Sequence, residues 1–245
     1  MDYKKILIII LFLFCIFGTA KLGTIIKNNT DFAKIKYNID LKNDQKSDMP
    51  NKFSVILSPE ERKLLIHNLQ QSKHYLEFGA GGSTFLALLY SDVDVVSVEN
   101  EQDWINDLRK WKYINKNENI TKRLKFYYTN TGETTGWGIP ANPEKDKNLL
   151  PNYSANVFKA FDNNYDIVLI DGRYRVACTL QTILNTDANV KIFIHDYTYR
   201  PEYHVLEEFL DLKQTVDSMV YFKKKKNIDK KAVAKMYEKF KYDFR

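Results

Sequence analysis

The sequence predicts an α/β domain built on a doubly wound, Rossmann-like and mostly parallel sheet with helices on both faces. Apolar segments of strand length alternate with helical segments along the chain, which is the pattern of βαβ units. The segment Ile167–Ile170 is a continuous apolar run, as expected when helices cover both faces of a parallel sheet. With 245 residues, the chain is long enough for one large domain and a short appendage.

The order of the segments places a helix before the sheet and an antiparallel edge after it. Ser58, Pro59 and two glutamates give an N-cap, a first helical residue and an acidic first turn for a helix that we expect to reach about Gln71. Pro201 precedes an apolar pattern with helical spacing, and residues 215–222 then predict an antiparallel edge. The predicted parallel strands span residues 75–78, 93–98, 124–128, 167–170 and 191–194.

The N-terminal segment, residues 1–27, has the composition of a signal or membrane anchor. Two lysines precede an uncharged apolar run over residues 6–17, which predicts an apolar helix, and residues 18–20 are small, as at a signal-peptidase site. Because Lys21 ends the run just short of the roughly 18 residues of a membrane span, two interpretations stay open. These are a single-pass anchor, on a secretory or Golgi-like route in a eukaryote, and a cleaved signal peptide. A polar stem or linker over residues 28–53 follows.

Charge and cysteine content narrow the classes of function. The net charge of +6 owes much to lysines in residues 223–245, which we expect to form a basic helix after a main domain over residues 54–222. No base-stacking platform accompanies these lysines, so nucleic acid is not an expected partner. The chain has only two cysteines, Cys15 and Cys178, which gives neither a disulfide framework nor a cysteine-based zinc site.

A glycine-rich loop follows the first predicted strand. From Glu77 to Thr84 the sequence reads Glu-Phe-Gly-Ala-Gly-Gly-Ser-Thr, so a carboxylate at a strand end leads through glycines into a helix. Such a loop lets the backbone approach a nucleotide cofactor that lies over the helix N-terminus. Glu99 ends the second strand, 20 residues beyond Gly79, where a carboxylate can accept hydrogen bonds from both ribose hydroxyls. The spacing therefore predicts an adenosine cofactor.

Polar residues also follow the other predicted strands, and ligands of open parallel sheets bind outside these carboxyl ends. His195 is the leading candidate for a general base, oriented by Asp171 or Asp196, with a core or capping role as the alternative. The two aspartates also leave open a shared Mg²⁺ ion that binds acceptor oxygens. Arg173 and Arg175 are expected to hold a carboxylate or phosphate of an anionic acceptor, with surface ion pairs as the alternative.

These motifs resemble those of class I S-adenosylmethionine-dependent methyltransferases. The resemblance rests on the loop after Glu77, on Glu99 and on Asp171. Three further segments are similar to a subgroup of that superfamily that distantly resembles glucuronoxylan and other polysaccharide O-methyltransferases; they are Trp137-Gly138-Ile139-Pro140, residues 171–178 and Ile194-His195-Asp196-Tyr197. The resemblance covers about residues 53–222.

The resemblance implies S-adenosylmethionine as cofactor and assigns roles to individual residues. Glu77, Gly79, Ala80, Gly81 and Ser83 would hold its methionine end, Glu99 its ribose and Asn130 its adenine, with Asp171 at the same end of the sheet. Ser83 replaces the third glycine of many members, so it must supply a tight contact through its backbone or hydroxyl. Thr84, where a dinucleotide oxidoreductase needs glycine or alanine, argues against that class.

The implied activity is O-methylation of a sugar or another anionic, hydroxyl-bearing acceptor. Trp137 and Tyr197 would join Arg173 and Arg175 in binding the acceptor, under a substrate lid formed by the long, irregular residues 133–154. The alternative is a non-catalytic scaffold of the same fold, anchored to a membrane and working in polysaccharide biosynthesis.

Overall fold

The computed structural model describes residues 38–40 and 52–245. The predicted apolar helix within residues 1–27 and most of the predicted linker lie outside these residues. Among the described helices, none is both long enough and apolar enough to cross a membrane.

The strands and helices are numbered in chain order. The strands are β1 Asn38–Asp40, β2 Lys52–Ser54, β3 His74–Phe78, β4 Asp94–Glu99, β5 Leu124–Tyr128, β6 Thr134–Thr135, β7 Ile139–Pro140, β8 Ile167–Ile170, β9 Lys191–Ile194, β10 Leu210–Val216 and β11 Met219–Lys224. The α-helices are α1 Pro59–Leu69, α2 Gly82–Tyr90, α3 Gln102–Arg109, α4 Lys112–Asn119, α5 Asn152–Ala155, α6 Val157–Ala160, α7 Arg175–Asn185 and α8 Lys230–Phe240. Short 3-10 segments cover Gly136–Gly138, Tyr197–Tyr199 and Pro201–Glu208.

The main sheet has seven strands in the order β10-β11-β9-β8-β3-β4-β5. The five strands from β9 to β5 are parallel, while β10 and β11 form an antiparallel hairpin at the β9 edge. From β3 the chain first adds strands on one side and then returns to add β8 and β9 on the other. The prediction of a doubly wound, mostly parallel sheet is confirmed, and its switch point lies between β3 and β8.

Helices bury both faces of the sheet. Side chains alternate between the two faces along each strand, so neighbouring residues of one strand belong to different cores. Leu76 and Phe78 of β3 belong to a core with residues of α7 and α8, whereas Tyr75 belongs to a second core with residues of α1 and α2. Cys178 is buried in the first core as a free thiol. Close packing on both faces fixes the positions at which the strands end.

Two segments after β9 differ from the sequence expectation. Residues 201–208 form a 3-10 helix, in which Tyr203 and Leu206 are buried at the three-residue spacing of that helix. The edge is a two-stranded hairpin whose second strand continues to Lys224. The basic C-terminal helix therefore begins only at Lys230. Asp229 caps this helix, because its side chain accepts a hydrogen bond from the Lys231 N–H.

The residues around the end of the predicted linker contribute to the core. The Phe53 ring lies 4.6 Å from that of Phe85 and 5.7 Å from that of Trp111, and Val55 is fully buried. Neighbouring Ile56 points to solvent, with 59% of its surface exposed. The packed domain therefore includes Phe53.

We expect Phe53→Ala to lower the free energy of unfolding by about 3–5 kcal/mol, because it removes apolar contacts and leaves a cavity. Urea unfolding of the full chain measures this loss. Ile56→Ala is the matched control, with an expected change within about 0.5 kcal/mol because Ile56 is already exposed. Equal losses in the two variants would contradict the packing of Phe53.

Candidate active site

The glycine loop between β3 and α2 packs closely against the loop after β8. Gly79 has φ +96°, and a Cβ added to it would lie 2.8 Å from the Gly172 backbone nitrogen. Only glycine combines this conformation with this close approach. At Gly81, by contrast, an added Cβ would meet no atom within 4 Å. The loop is therefore tightly packed at Gly79 and open at Gly81.

Glu77 connects the end of β3 to the first turn of α2, directly after the glycine loop. Its carboxylate is fully buried and accepts hydrogen bonds from the hydroxyls of Tyr75, at 2.9 Å, Ser83, at 2.6 Å, and Thr84, at 2.5 Å. Burial raises the pKa of Glu77 despite these hydrogen bonds. The structure thus corrects the expected direct cofactor contacts of Glu77 and of the Ser83 hydroxyl, because both groups are engaged with each other beneath the loop.

Glu99 connects the end of β4 to the open part of the same loop. One carboxylate oxygen accepts from the Ala80 N–H at 3.1 Å, and the other accepts from the N–H groups of Asn100, at 2.7 Å, and Glu101, at 3.2 Å. Burial raises the pKa of Glu99 to about 7, although the backbone hydrogen bonds oppose this shift. The carboxylate is therefore placed beside the loop, as the spacing predicted.

A hollow of about 440 Å³ opens beside Glu99 at the carboxyl ends of β4 and β5. This volume lies in the range of small-molecule pockets. Its lining comprises residues 100–103, Tyr128 and residues 132–136. The side-chain oxygen of Asn130 accepts a hydrogen bond from the Gly132 N–H at 2.9 Å and so shapes the wall without lining it. A hollow of about 500 Å³ lies at the amino ends of β3, β4 and β5 and contains no predicted site residue.

The predicted lid is folded over the β4 end of this cleft. The Gly138 N–H donates to the Glu101 carboxylate at 2.7 Å, and the Asn100 amide donates to the Gly138 carbonyl at 3.1 Å. Trp137 is 76% exposed and has φ +67°. An exposed tryptophan in a left-handed conformation is unusual and marks functional loops. Trp137 therefore remains a candidate contact for a ligand.

The ends of β8 and β9 bring His195 between two carboxylates. Its Nδ1 lies 2.8 Å from Asp171 Oδ1, and its Nε2 lies 3.5 Å from Glu61 Oε2. Burial lowers the pKa of His195, but the hydrogen bonds to Asp171 and Glu61 outweigh it and raise the pKa to about 10. This shift favours the protonated ring, whereas a general base must begin without the proton. The role of His195 as a general base stays a prediction.

Glu61 is a member of this cluster that the sequence interpretation missed. It is buried at the start of α1, where it completes a capping box with Ser58, and it also accepts from the N–H and hydroxyl of Ser218 at 2.9 and 2.7 Å. Burial opposes its ionisation, but the hydrogen bonds from His195 and Ser58 lower its pKa to about 2. The Ser58-x-x-Glu61 spacing signals the capping box, whereas the contact with His195 depends on the packing of α1 against β9.

Arg175 is buried and joins the loops after β8 and β9. It donates to the Gly172 carbonyl at 2.9 Å, to the Asp171 carbonyl at 3.1 Å and to the Asp196 carboxylate at 3.0 Å. A further N–H donates to the His195 carbonyl. The structure therefore corrects the expected substrate-binding role of Arg175, because internal acceptors occupy its guanidinium.

Tyr197 is also an internal residue and not an acceptor contact. Its side chain is buried, its hydroxyl donates to Glu207 at 2.9 Å, and its ring stacks on His204 with centroids 5.0 Å apart. The 3-10 turn after Asp196 directs the ring into the core, an orientation that the linear sequence does not specify.

Asp171, His195 and Asp196 place one potential metal-ligand atom each within 4.8 Å of one another. The arrangement fits Mg²⁺ poorly, because Arg175 contacts both aspartates and His195 donates to Asp171. Two cations of the chain thus already neutralise the carboxylates that Mg²⁺ would need. Asp171 and Asp196 are instead held as paired carboxylates at adjacent strand ends.

Comparison with known proteins gives a fold and no family. No protein-family model and no curated protein matches the chain. A methyltransferase-like protein of Silicibacter pomeroyi has a similar solved structure, with a TM-score of 0.67 and 25% identity, over 79% of this chain and 98% of that one. More distant similarities include an RNA methyltransferase of Salinibacter ruber in complex with S-adenosyl-L-homocysteine. It is 13% identical over 71% of this chain and 97% of that one, with a TM-score of 0.42. Another is a precorrin-6Y C5,15-methyltransferase of Geobacter metallireducens. It is 10% identical over 75% of this chain and 94% of that one, with a TM-score of 0.42.

The chain thus has the Rossmann-like fold of class I S-adenosylmethionine-dependent methyltransferases, as the sequence predicted. This fold, with a glycine loop and an acid at its switch point, supports S-adenosylmethionine as the cofactor and methyl transfer as the reaction class.

We expect NMR titration of the His195 imidazole in the full chain to give a midpoint near pH 10, because Asp171 and Glu61 stabilise the imidazolium. In the Glu61→Gln variant, one of the three carboxylates within 4 Å of the ring is lost, and the midpoint should fall. A wild-type midpoint near 6.5, the ordinary value for histidine, would contradict the ionised cluster.

Proposed function

We propose that the protein is an S-adenosylmethionine-dependent methyltransferase that methylates a hydroxyl oxygen of a sugar or another small, anionic acceptor. The observation that carries this proposal is the cradle formed by the open glycine loop after β3, the Glu99 carboxylate and the hollow at the carboxyl ends of β4 and β5. The acceptor class rests only on the sequence motifs that distantly resemble those of polysaccharide O-methyltransferases.

The residues of the cradle fit this cofactor. The open side of Gly81 and the N-terminus of α2 leave room for the amino-acid part, since an added Cβ at Gly81 would meet nothing. Glu99 would accept hydrogen bonds from the ribose, and the hollow between Asn100 and Gly132 would take the adenine. When bound, the cofactor supplies a methyl group activated by a positively charged sulfur. The protein's part is to align the acceptor with it.

Asp171 is the residue that we propose to act on the acceptor hydroxyl. Burial would raise its pKa, but the hydrogen bond and charge of His195, with the charge of Arg175, lower it, so the carboxylate is ionised at neutral pH. Its side chain is 24% exposed at the end of β8, next to the loop that packs against Gly79. The ionised carboxylate would accept a hydrogen bond from the hydroxyl, orient its oxygen and receive its proton. His195 then acts as a positioning residue.

Both nitrogens of the His195 ring already contact carboxylates of this chain, which favours one alternative, a non-catalytic scaffold of the same fold. A scaffold would bind the cofactor without turning over any acceptor. The membrane attachment through residues 1–27 stays a prediction in both cases. Membrane fractionation and N-terminal sequencing of the full chain would separate an anchor from a cleaved signal.

We expect Glu99→Gln to weaken binding of S-adenosylhomocysteine by about 10- to 100-fold, because hydrogen bonds to a charged acceptor are worth roughly 1.5–3 kcal/mol. Isothermal titration calorimetry with the full chain measures this affinity. Because the pKa of Glu99 is about 7, wild-type affinity should also fall as the pH drops through 7, and the variant should lack this dependence.

Glu238→Gln is the matched control, since Glu238 is exposed on α8 and pairs only with Lys241 among the described ion pairs. Absence of S-adenosylhomocysteine binding to the wild-type chain would refute the proposed cofactor. Equal weakening in both variants would refute the role of Glu99.

We expect Asp171→Asn to lower the rate of methyl transfer by about 10²- to 10⁴-fold, the usual contribution of a positioned acid or base. The assay follows transfer of labelled methyl groups to a panel of monosaccharides and uronates, and calorimetry should find cofactor affinity preserved. Asp162→Asn, at an exposed acid before β8, is the control and should retain activity. Cofactor binding by the wild type without transfer to any acceptor would favour the scaffold.

A further inference from the structure

We propose that Arg173 and Arg200, with the hydroxyl of Tyr203, form a subsite for an oxyanion carried by the acceptor. This inference rests on the proposed function and specifies how its substrate is recognised. It also replaces the pair Arg173 and Arg175 expected from the sequence, because Arg175 is occupied internally.

Arg173 is the arginine of this region that lacks an anionic partner. It lies two residues beyond Asp171 and is partly buried. Its Nε atom is buried and has no hydrogen-bond partner, and no carboxylate of the described residues lies within 4 Å of its guanidinium. A buried N–H without an acceptor is costly, and a ligand oxyanion beside Arg173 would supply the missing acceptor.

The surroundings of Arg173 add positive charge. Burial lowers the pKa of Arg173, and the nearby charges of Arg175 and Arg200 lower it further. In the cluster at the ends of β8 and β9, the ion pairs join Arg175, Arg200 and His195 to Asp171, Asp196 and Glu61. Arg173 takes part in none of these described ion pairs, so its positive charge is left for an anionic ligand.

Arg200 and Tyr203 supply the remaining donors of the subsite. Arg200 is partly exposed, and its closest carboxylate contact is at 3.7 Å with Asp196, so it retains donors for a ligand. Its guanidinium carbon lies 5.7 Å from the centroid of the Tyr203 ring. The Tyr203 hydroxyl is buried without a hydrogen-bond partner, although the charges of Arg173 and Arg200 both act on it. A donor without an acceptor matches an incoming oxyanion.

The backbone fixes this arrangement beside the proposed reaction centre. Tyr174 has φ +54°, a left-handed conformation that is strained for a tyrosine, and it separates Arg173 from α7. On the two sides of this turn, Arg175 is buried among internal acceptors and Arg173 has a buried Nε without a partner. Asp171 and Arg173 lie two residues apart after the same strand, so the proposed subsite adjoins the residue proposed to contact the acceptor hydroxyl.

The chemistry of the subsite defines the class of ligand. Guanidinium groups bind carboxylates and phosphates through two parallel hydrogen bonds, and the tyrosine hydroxyl adds a third donor. The acceptor should therefore be a small hydroxyl compound that bears a carboxylate or a phosphate. A neutral sugar would leave the excess charge unpaired.

The test measures binding of inorganic phosphate, D-glucuronate and D-glucose to the full chain by isothermal titration calorimetry. Both anions probe the oxyanion, and the comparison between them distinguishes phosphate from carboxylate, while glucose reports on the neutral sugar. We expect at least one anion to bind and glucose not to bind. Arg173→Met should weaken the anion by about 10-fold or more, as expected for a hydrogen-bonded charge, with S-adenosylhomocysteine affinity unchanged.

Arg109→Met is the matched control, because Arg109 is a partly exposed arginine that pairs with Glu118 and lies over the ring of Phe126 in β5. It should leave anion binding unchanged. Arg173→Lys retains the charge without the bidentate geometry and should give an intermediate affinity, which keeps the test valid if the methionine variant does not fold.

No anion binding to the wild type, or equal losses in the Arg173 and Arg109 variants, would overturn the subsite. Loss of anion binding in the Arg173 variants together with failure of the wild type to bind S-adenosylhomocysteine would refute the proposed function and leave the subsite standing. The two proposals therefore fail in distinguishable ways.

Discussion

The buried guanidinium of Arg175 is the interaction on which the rest of the site depends. It binds backbone carbonyls after both β8 and β9 and contacts the carboxylates of Asp171 and Asp196, so it fixes two strand ends with one side chain. Removing one partner of such a buried charge leaves the others uncompensated, at a cost of roughly 3–5 kcal/mol. The position of the Asp171 carboxylate at the end of β8 follows from this constraint.

The same charge cluster determines which residues can do chemistry. His195 is held as an imidazolium by Asp171 and Glu61, and this charge in turn keeps Asp171 ionised. Arg175 faces inward to the carboxylates, which leaves Arg173 as the cation available to a ligand. The roles proposed for Asp171, His195 and Arg173 all follow from this one network, because each depends on the partners that the neighbouring residues already occupy.

Most of the fold and part of the site could be predicted from sequence. The strand β8 was predictable because a continuous apolar run reports burial on both faces, and Glu99 because its spacing from the glycine loop follows from one βα unit. The contact of Glu61 with His195 could not be predicted, because the capping-box motif has the same sequence whether or not its glutamate contacts another element. The inward orientation of Arg175 and Tyr197 could not be predicted, because a position after a strand does not specify the direction in which a helix or turn points the side chain.

The linear pattern is sufficient for the periodic and local features: the order of strands and helices, the glycine loop and the polar residues that follow each strand. These features depend on neighbours within a few residues. Which of those polar residues contact each other depends on the packing of distant parts of the chain. Burial and pairing across β3, β8 and β9 set the charge of His195, occupy Arg175 and leave Arg173 free, because electrostatic energies in a packed interior depend on distances between residues far apart in the chain.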